Sequence, residues 1–483
     1  MNAARMAFFF GRLTQGLFVV SLAPLLFALA EGEPSMPFLW MTVLTAGCAA
    51  LFSVWGLRWA DALTLREGIT VTGLVWVLAS ALGAVPYVAG GWLGCLDGFL
   101  ESVSGYTGAG ATVMTSIATL PKSILLWRAL THWIGGLGVI VFFIALLPQF
   151  GQGAAYLFET ESGGAISERV LPRMTEMAKT LLAVYALFTA AATLAYAASG
   201  MTFFDAACHS MSTIATGGFS NYDDSAAHFH SPALEWWMIF FMVVSSGDFG
   251  MYAATIRHGV KAVLQNAEFR FFLVMVSLCS FAIAAELFFS GTAAGEAARS
   301  AFFQASSVAS TTGFVSADFD RWPPFSKLCL LFLMLVGGCS GSTAGGFKAV
   351  RILLLVRLIA RAGRRMLSPN AREEMMLGGR RASGETLFAA GHFFFAYCAI
   401  CVLWTLIFVW DGSTLLDSVA LSLTTMGNVG PGFGEWGATS TYAGLPPLSK
   451  VTAAVSMLVG RLEIFPMIVM LRPGFWRKEQ GWD

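Results

Sequence analysis

The stretch Met211-Ser212-Thr213-Ile214-Ala215-Thr216-Gly217-Gly218-Phe219-Ser220 lies in apolar sequence, yet it is rich in hydroxyls, contains paired glycines and carries no carboxylate, histidine or cysteine. Working outward from Gly218, Ser212 stands six positions before it and Asp205 thirteen before it. The same spacing recurs as Asp97, Ser104, Gly110, as Ser300, Ser307, Gly313 and as Asp417, Thr424, Gly430. One loop of this composition is explained as a plain link between helices. Four in one register ask for more, because four polar, glycine-rich loops can surround one axis through a membrane, which is the geometry of an ion filter.

The composition places these loops in a bilayer. A chain of 483 residues that is 56% hydrophobic and 12% charged, with 41 Phe and 15 Trp, holds more apolar surface than a water-soluble core can hide. It reads as a polytopic membrane protein. Net charge is zero and no basic cluster is interleaved with stacking aromatics, which argues against a nucleic-acid partner. The eight cysteines lie mostly in apolar segments at irregular spacing and read as small buried hydrophobes. Cys398 and Cys401 form a C-x-x-C pair, but no second pair completes a metal site.

Arg5 and Arg12 precede an apolar run from Leu17 to Ala30, which reads either as a secretory signal or as a retained helix. The retained helix is preferred, because a second span from Phe38 to Trp59 follows after a short loop. Further spans are expected at Ile69 to Val88, Ile124 to Leu147, Met177 to Ala198, Leu234 to Tyr252, Phe271 to Phe289, Leu328 to Ile359, Thr386 to Val409 and Val451 to Leu471, ten in all. The last eight form four pairs. Within each pair lies an apolar stretch of about a dozen residues, too short to cross, which breaks into a glycine loop as a re-entrant pore helix does. The expected fold is an all-α polytopic membrane protein: two N-terminal transmembrane helices (1–65), then four linked helix, pore loop, helix repeats in pseudo-fourfold arrangement (66–150, 151–262, 263–365 with a broken inner helix, and 366–483).

With the N-terminus in the cytoplasm, most of the 29 Lys and Arg fall on cytoplasmic segments, including Arg357, Arg361, Arg364, Arg365, Arg372, Arg380 and Arg381. The positive-inside rule then puts all four loops near the outer face. Glu31, Glu33, Asp97, Glu101, Asp205, Asp223, Asp224, Asp318, Asp320, Asp411, Asp417 and Glu435 fall there too. They would concentrate cations, although ordinary solvated loop acids explain about half of them.

The candidate filter consists of Thr107-Gly108-Ala109-Gly110, Ala215-Thr216-Gly217-Gly218, Ser310-Thr311-Thr312-Gly313 and Gly427-Asn428-Val429-Gly430. These loops offer backbone carbonyls and a few hydroxyls, and glycine permits the dihedrals that turn successive carbonyls inward. Neutral carbonyls replace the hydration shell of a monovalent cation, whereas divalent ions call for carboxylates and anions for Lys or Arg. Each short helix would aim its partly negative C-terminal end at the path.

Gly337-Gly338-Cys339-Ser340-Gly341-Ser342-Thr343-Ala344-Gly345-Gly346, followed by Lys348, interrupts the third inner helix. Each glycine in a helix interior costs about 1 kcal/mol relative to alanine, so the helix should melt there. A broken helix at membrane depth faces a cavity rather than lipid. A small-residue face for close helix packing is the alternative. Arg461 falls in the middle of its expected span, about 15 Å from either end at the helical rise. An arginine there costs at least about 2.5 kcal/mol, so it should face the pore or an acceptor. Glu463, two positions on, lies on another face and is a poor partner. Arg128 and His132 are expected to serve interface packing.

The loop at Met211–Ser220, Thr311-Thr312-Gly313-Phe314, Asn428-Val429-Gly430-Pro431-Gly432, and Trp127-Arg128 followed by Trp133-Ile134-Gly135-Gly136 resemble the TrkH potassium-uptake subunits of bacteria, within the TrkH/KtrB superfamily. The two extra N-terminal spans and the length favour the TrkH branch. The resemblance implies four joined repeats around one potassium filter, usually in a homodimer of the bacterial inner membrane, with potassium as the transported ion and neither an organic cofactor nor an enzymatic activity. It also implies a cytosolic, nucleotide-binding ring protein of the TrkA type docking on the basic inner face, where the segment from Arg361 to Arg381 is suited to receive it. The family's loop matching Gly337 to Gly346 obstructs the pore below the filter. It is read here as the gate, with its carbonyls and hydroxyls as the acceptor for Arg461. One departure is visible: the family's first loop usually reads Thr-Thr-Thr-Gly-Ala-Thr, and here Gly108 and Ala109 replace two threonines, which weakens the expectation of strict selectivity over sodium.

Other classes fit less well. A transporter of inverted repeats would not have four repeats in one orientation. An intramembrane hydrolase needs a nucleophile and base together, and no spacing puts Ser340 or Ser342 on one helix face with His132 or His209. Gly135-Gly136-Leu137-Gly138 lacks the Lys and Ser/Thr of a phosphate-binding loop. An ammonium or sodium conductor or cation symporter of the same architecture stays open.

Overall fold

The computed structural model describes residues 1–56, 63–146, 171–259, 261–367, 376–377, 380–381, 384–462 and 464–476. The first helix, Ala3–Glu31, starts on an Asn2 cap and runs antiparallel to Met36–Gly56. Their backbones come close where side chains are small: a Cβ added at Gly56 would overlap the backbone of Phe8, and Ser21 bonds the Thr42 hydroxyl at 3.1 Å. Glu67 ties this hairpin to the first repeat, accepting from the Asn2 amide at 2.6 Å and from Arg5 at 3.1 Å.

Four repeats follow. Their outer helices are Leu65–Ala89, Leu171–Ala198, Ala267–Phe289 and Gly384–Trp410, and their short pore helices are Cys95–Thr107, Phe203–Ile214, Ala294–Ala309 and Leu415–Gly427. Local sequence starts the second and fourth pore helices in the same way. Thr202 and Thr414 accept from the amides of Asp205 and Asp417, so the acid of the repeat pattern sits in the first turn, where it suits the positive end of the helix. Ser300 is the exception. The third pore helix begins earlier, at Ala294, and its first-turn acid is Glu296, so Ser300 does not hold the first-turn place of Asp205 and Asp417.

The inner helices differ from one another. Lys122–Leu146 is a single helix. The expected span from Leu234 to Tyr252 instead bends by 94° between Pro232–Ser245 and Phe249 onward. The sequence Ser245-Ser246-Gly247-Asp248 is poor in helix formers, and Asp248 caps the second piece by accepting from the Gly250 amide at 2.8 Å. The third inner helix is split into Pro324–Val336 and Ala349–Leu367. The fourth, expected as one span, turns by 116° between Pro447–Leu462 and Ile464–Leu471. Arg461 therefore stands in the last turn of a helix and not at mid-span. Among the described residues, six helices are long and apolar enough to cross a membrane, and the two bent pairs make eight. The remaining two expected spans are the first inner helix and the split third. Within the stretch from Arg361 to Arg381, Met376–Leu377 pairs with Arg380–Arg381 as two-residue strands, while Arg372, like Glu463, lies outside the described residues.

Candidate ion-conducting site

Each pore helix ends in the same way. The amides of Ala109, Gly217, Thr312 and Val429 donate to the carbonyls of Ser104, Ser212, Ser307 and Thr424 at 3.0, 2.8, 2.9 and 2.9 Å. The acceptors are the Ser and Thr of the repeat pattern, and the bond is the one that closes a helix over a left-handed residue. That residue is Gly108, Thr216, Thr311 or Asn428, with φ of 70°, 54°, 56° and 53°. Gly108 thus introduces no new backbone state. It occupies, without a side-chain penalty, a conformation that costs threonine about 1–2 kcal/mol.

The pattern glycines Gly110, Gly218, Gly313 and Gly430 also have positive φ, and their place in the ring explains why no larger residue stands there. A Cβ built on Gly110 would overlap the carbonyl of Gly217, one on Gly218 that of Thr312, and one on Gly313 that of Val429. On Gly430 it would come within 2.6 Å of the Ala109 carbonyl, which returns to the first loop. Each glycine packs on the carbonyl before the glycine of the next loop, and the fourth closes the circle. All four glycines line one cavity of about 150 Å³, together with Thr112, Thr115, Tyr222, Asp223 and the Gly437–Tyr442 segment. Most hydroxyls of the loops turn back into the protein. Thr107 donates to the Val103 carbonyl at 2.7 Å, Ser310 and Thr312 bond each other at 2.7 Å, and Thr216 reaches Thr343 at 3.2 Å. What the ring presents is chiefly backbone.

Behind the loops stand side chains outside the six- and thirteen-residue intervals. Nine positions before each glycine come Glu101, His209, Gln304 and Leu421, and the first three are completely buried. Glu101 accepts from the Val113 amide at 2.8 Å and from Thr112, His209 meets the Ser220 hydroxyl at 2.9 Å, and Gln304, with its amide turned, accepts from the Ser316 amide at 2.8 Å. Each holds the chain as it leaves its loop. Arg128 and His132 are buried inside the subunit behind loops one and two, against the expectation of interface packing. Arg128 pairs with Glu101 at 2.9 Å, and His132 meets Ser212 at 2.8 Å and stacks on Phe219.

Several outer acids likewise prove to be backbone acceptors. Glu33 takes the Lys122 and Ser123 amides at 2.9 and 2.8 Å, Asp223 the Ile117 amide at 2.6 Å, and Asp411 the Ser449 amide at 2.9 Å, while Asp97 pairs with Lys450 at 2.6 Å. Tyr222, in the outer loop, donates to Asp205 at 3.1 Å. Burial and that carboxylate hold its phenol above its usual range, so it stays a neutral donor.

The interrupted segment lies against the inner side of this ring. Gly337 leaves the helix at φ 71°, and the chain returns to its starting level where the Phe347 and Lys348 amides donate to the Leu335 and Val336 carbonyls at 3.2 and 2.9 Å. In between, Thr343 donates to the Ile214 carbonyl at 3.0 Å, and the Gly345 amide donates to Thr311 at 2.8 Å. A Cβ on Gly345 would overlap the Gly427 carbonyl. The segment so touches the ends of the second, third and fourth pore helices. It is held from the side by Glu268, which accepts from the Ser340 and Val350 amides at 2.6 and 3.1 Å, and by the Gly341 carbonyl, which accepts from Phe249 at 3.1 Å. Lys348 donates to the Ala344 carbonyl. Arg461 reaches in from the fourth repeat, donating to the Thr343 carbonyl at 2.6 Å and to the Gly135 carbonyl at 2.9 Å. No group of three or more His, Cys, Asp or Glu able to hold a metal occurs among the described residues.

Residues 41–478 match the sequence model of the TrkH family, described as a cation transport protein. The Trk system potassium uptake protein TrkH of Salmonella typhimurium is 36% identical over 421 residues, covering 86% of each chain. That of Vibrio parahaemolyticus is 35% identical over 469 residues, 95% of this chain and 96% of the relative. The Trk system potassium uptake protein TrkG of Escherichia coli is 32% identical over 421 residues, 86% of each. The crystal structure of the potassium transporter TrkH from Vibrio parahaemolyticus matches with a TM-score of 0.88 at 33% identity, over 99% of this chain and 100% of the other. The chain therefore belongs to the TrkH family of cation transport proteins.

Proposed function

We propose that this chain is a potassium-uptake subunit of the bacterial inner membrane, in which the four loops form the selectivity filter. One observation carries the reading: the four pattern glycines line a single cavity and pack head to tail, so that four neutral backbone loops form one ring. A ring of carbonyls suits a weakly hydrated monovalent cation, and relatives over most of the chain are named for potassium uptake. The segment from Gly337 to Gly346 is the gate and Arg461 its latch, supported by their contacts beneath the pore-helix ends. A guanidinium below the filter also repels a permeating cation. The four repeats divide near residues 66, 151, 263 and 366. Homodimer assembly, a TrkA-type nucleotide-binding partner on the basic inner face, and either passive conduction or symport complete the proposal.

Rubidium and sodium fluxes into proteoliposomes test it. Rubidium should pass well ahead of sodium, and equal permeation would sink potassium selectivity while leaving a less selective cation channel. Gly108 and Ala109 favour that second reading by removing two threonines. Against it stand the shared left-handed geometry at Gly108 and the loop hydroxyls that turn back into the protein rather than toward the axis.

A further inference from the structure

We infer that Arg128 is a specificity-determining positioning residue, which sets the spacing between the first and second loops from behind. The inference rests on the loops being the filter. Arg128 is 1% exposed and reaches both limbs that leave those loops: its Nη1 donates to the Ser220 carbonyl at 2.9 Å and its Nη2 to the Thr112 hydroxyl at 3.3 Å. Its Nε donates to Glu101, which is wholly buried and also accepts from the Val113 amide. The guanidinium lies 4.0 Å from the centre of the Phe219 ring, next to Gly218. Ser220 is anchored in turn by His209, and the adjoining Asn221 donates to Asp205 at 2.8 Å. A continuous chain of polar contacts thus runs from loop one to the start of the second pore helix.

The other neighbouring loops are joined without a guanidinium: the Val315 amide donates to Ser225 at 3.2 Å, and Tyr442 donates from its amide to the Thr112 carbonyl and from its phenol to the Gly430 carbonyl, each at 2.8 Å. The hydrogen bonds of His209 and Gln304 run to their own repeats, although the His209 ring also stacks on Phe314, and Leu421 carries no polar group. The guanidinium bridge falls on the loop in which Gly108 and Ala109 stand where the family resemblance expects threonine. A planar, five-donor guanidinium fixes two strands at a set separation in a way that a lysine ammonium, with the same charge but no fork, does not. Because each glycine abuts the next loop's carbonyl, a shift between loops one and two alters the whole ring.

The test compares the parent with Arg128→Lys and with the neutral pair Glu101→Gln/Arg128→Gln, reading the rubidium-to-sodium flux ratio in proteoliposomes alongside thermal unfolding in detergent. The parent must discriminate between the ions; if it does not, the filter reading itself has failed. Given a discriminating parent, Arg128→Lys should keep its melting temperature within a few degrees while its ratio falls by about tenfold or more, and the neutral pair should behave likewise. A folded Arg128→Lys with the parent's ratio overturns the inference and spares the filter. If both variants lose transport and melting transition together, it is overturned as well, the pair then being an element of folding rather than of selectivity.

Discussion

The outer halves of the four repeats are nearly copies of one another, and the inner halves are not. On the outer side, four pore helices end in the same hydrogen bond, the same left-handed residue and the same crowded glycine. On the inner side, one helix runs unbroken, one bends by 94°, one opens into a loop and one turns by 116°. A ring that replaces an ion's water shell needs equivalent ligands from all sides. A gate needs only one bistable element and something to hold it. Under the proposed function, symmetry is kept where the ion would bind and given up where its passage would be controlled.

The largest expected effect breaks the outer symmetry. Gly313→Asp puts a Cβ into the Val429 carbonyl and a carboxylate into a neutral ring. Rubidium uptake should fall by about 100-fold or more, since buried charge and backbone overlap each cost several kcal/mol, and uptake at the parent rate would mean that the loops do not form the filter. Next comes the inner side. Arg461→Ala removes two charge-assisted bonds to the Thr343 and Gly135 carbonyls. At about 1.5–3 kcal/mol for such a bond, resting flux without a cytosolic partner should rise by about tenfold; unchanged flux disposes of the latch. Glu268→Gln keeps an acceptor beside Ser340 but loses its charge, so a rise of about threefold is expected, on the order of half the strength of an ionic hydrogen bond. Should Glu268→Gln exceed Arg461→Ala in the same assay, the segment is held mainly from its own repeat. The smallest effect sharpens the outer comparison. Gly108→Thr copies the residue at Thr216 and Thr311, and a Cβ there meets nothing closer than 3.6 Å. Only the left-handed backbone opposes it, so stability should drop by about 1–2 kcal/mol, a shift of a few degrees in melting temperature. A collapse of the fold would show that the first loop differs from the others in more than sequence.

Much of the outer ring was legible because its determinants are local. Glycine spacing and short apolar runs are properties of consecutive residues, and they located the four loops and the short helices before them. Ser300 shares the thirteen-residue interval but not the place of the aspartates, because the third pore helix starts at Ala294 and puts Glu296 in its first turn. The five glycines of the third inner helix announced its break. The bend at Ser246–Asp248 was hidden by one glycine amid strongly apolar sequence, although the Ser-Ser-Gly-Asp run with its capping acid could have disclosed it. Glu101, His209 and Gln304 share a fixed distance from the pattern glycines, so extending the repeat backward would have found them. Arg128 could not be found in this way, because its partners Ser220 and Glu101 lie 92 and 27 positions away.

By itself, then, the amino-acid sequence determined the membrane class and the fourfold glycine loop, and its charge bias and neutral loops are the ground on which an outward orientation and a monovalent cation are proposed, since hydropathy, charge bias and glycine conformation act within a few residues of one another. Only the tertiary structure decided that each glycine seats on the next loop's carbonyl, that several outer acids are backbone caps, and that Arg461 sits at a bend with its guanidinium on Thr343 and Gly135. Those contacts join residues more than a hundred positions apart in several cases, and their energy depends on distance and desolvation, which spacing along the chain does not encode.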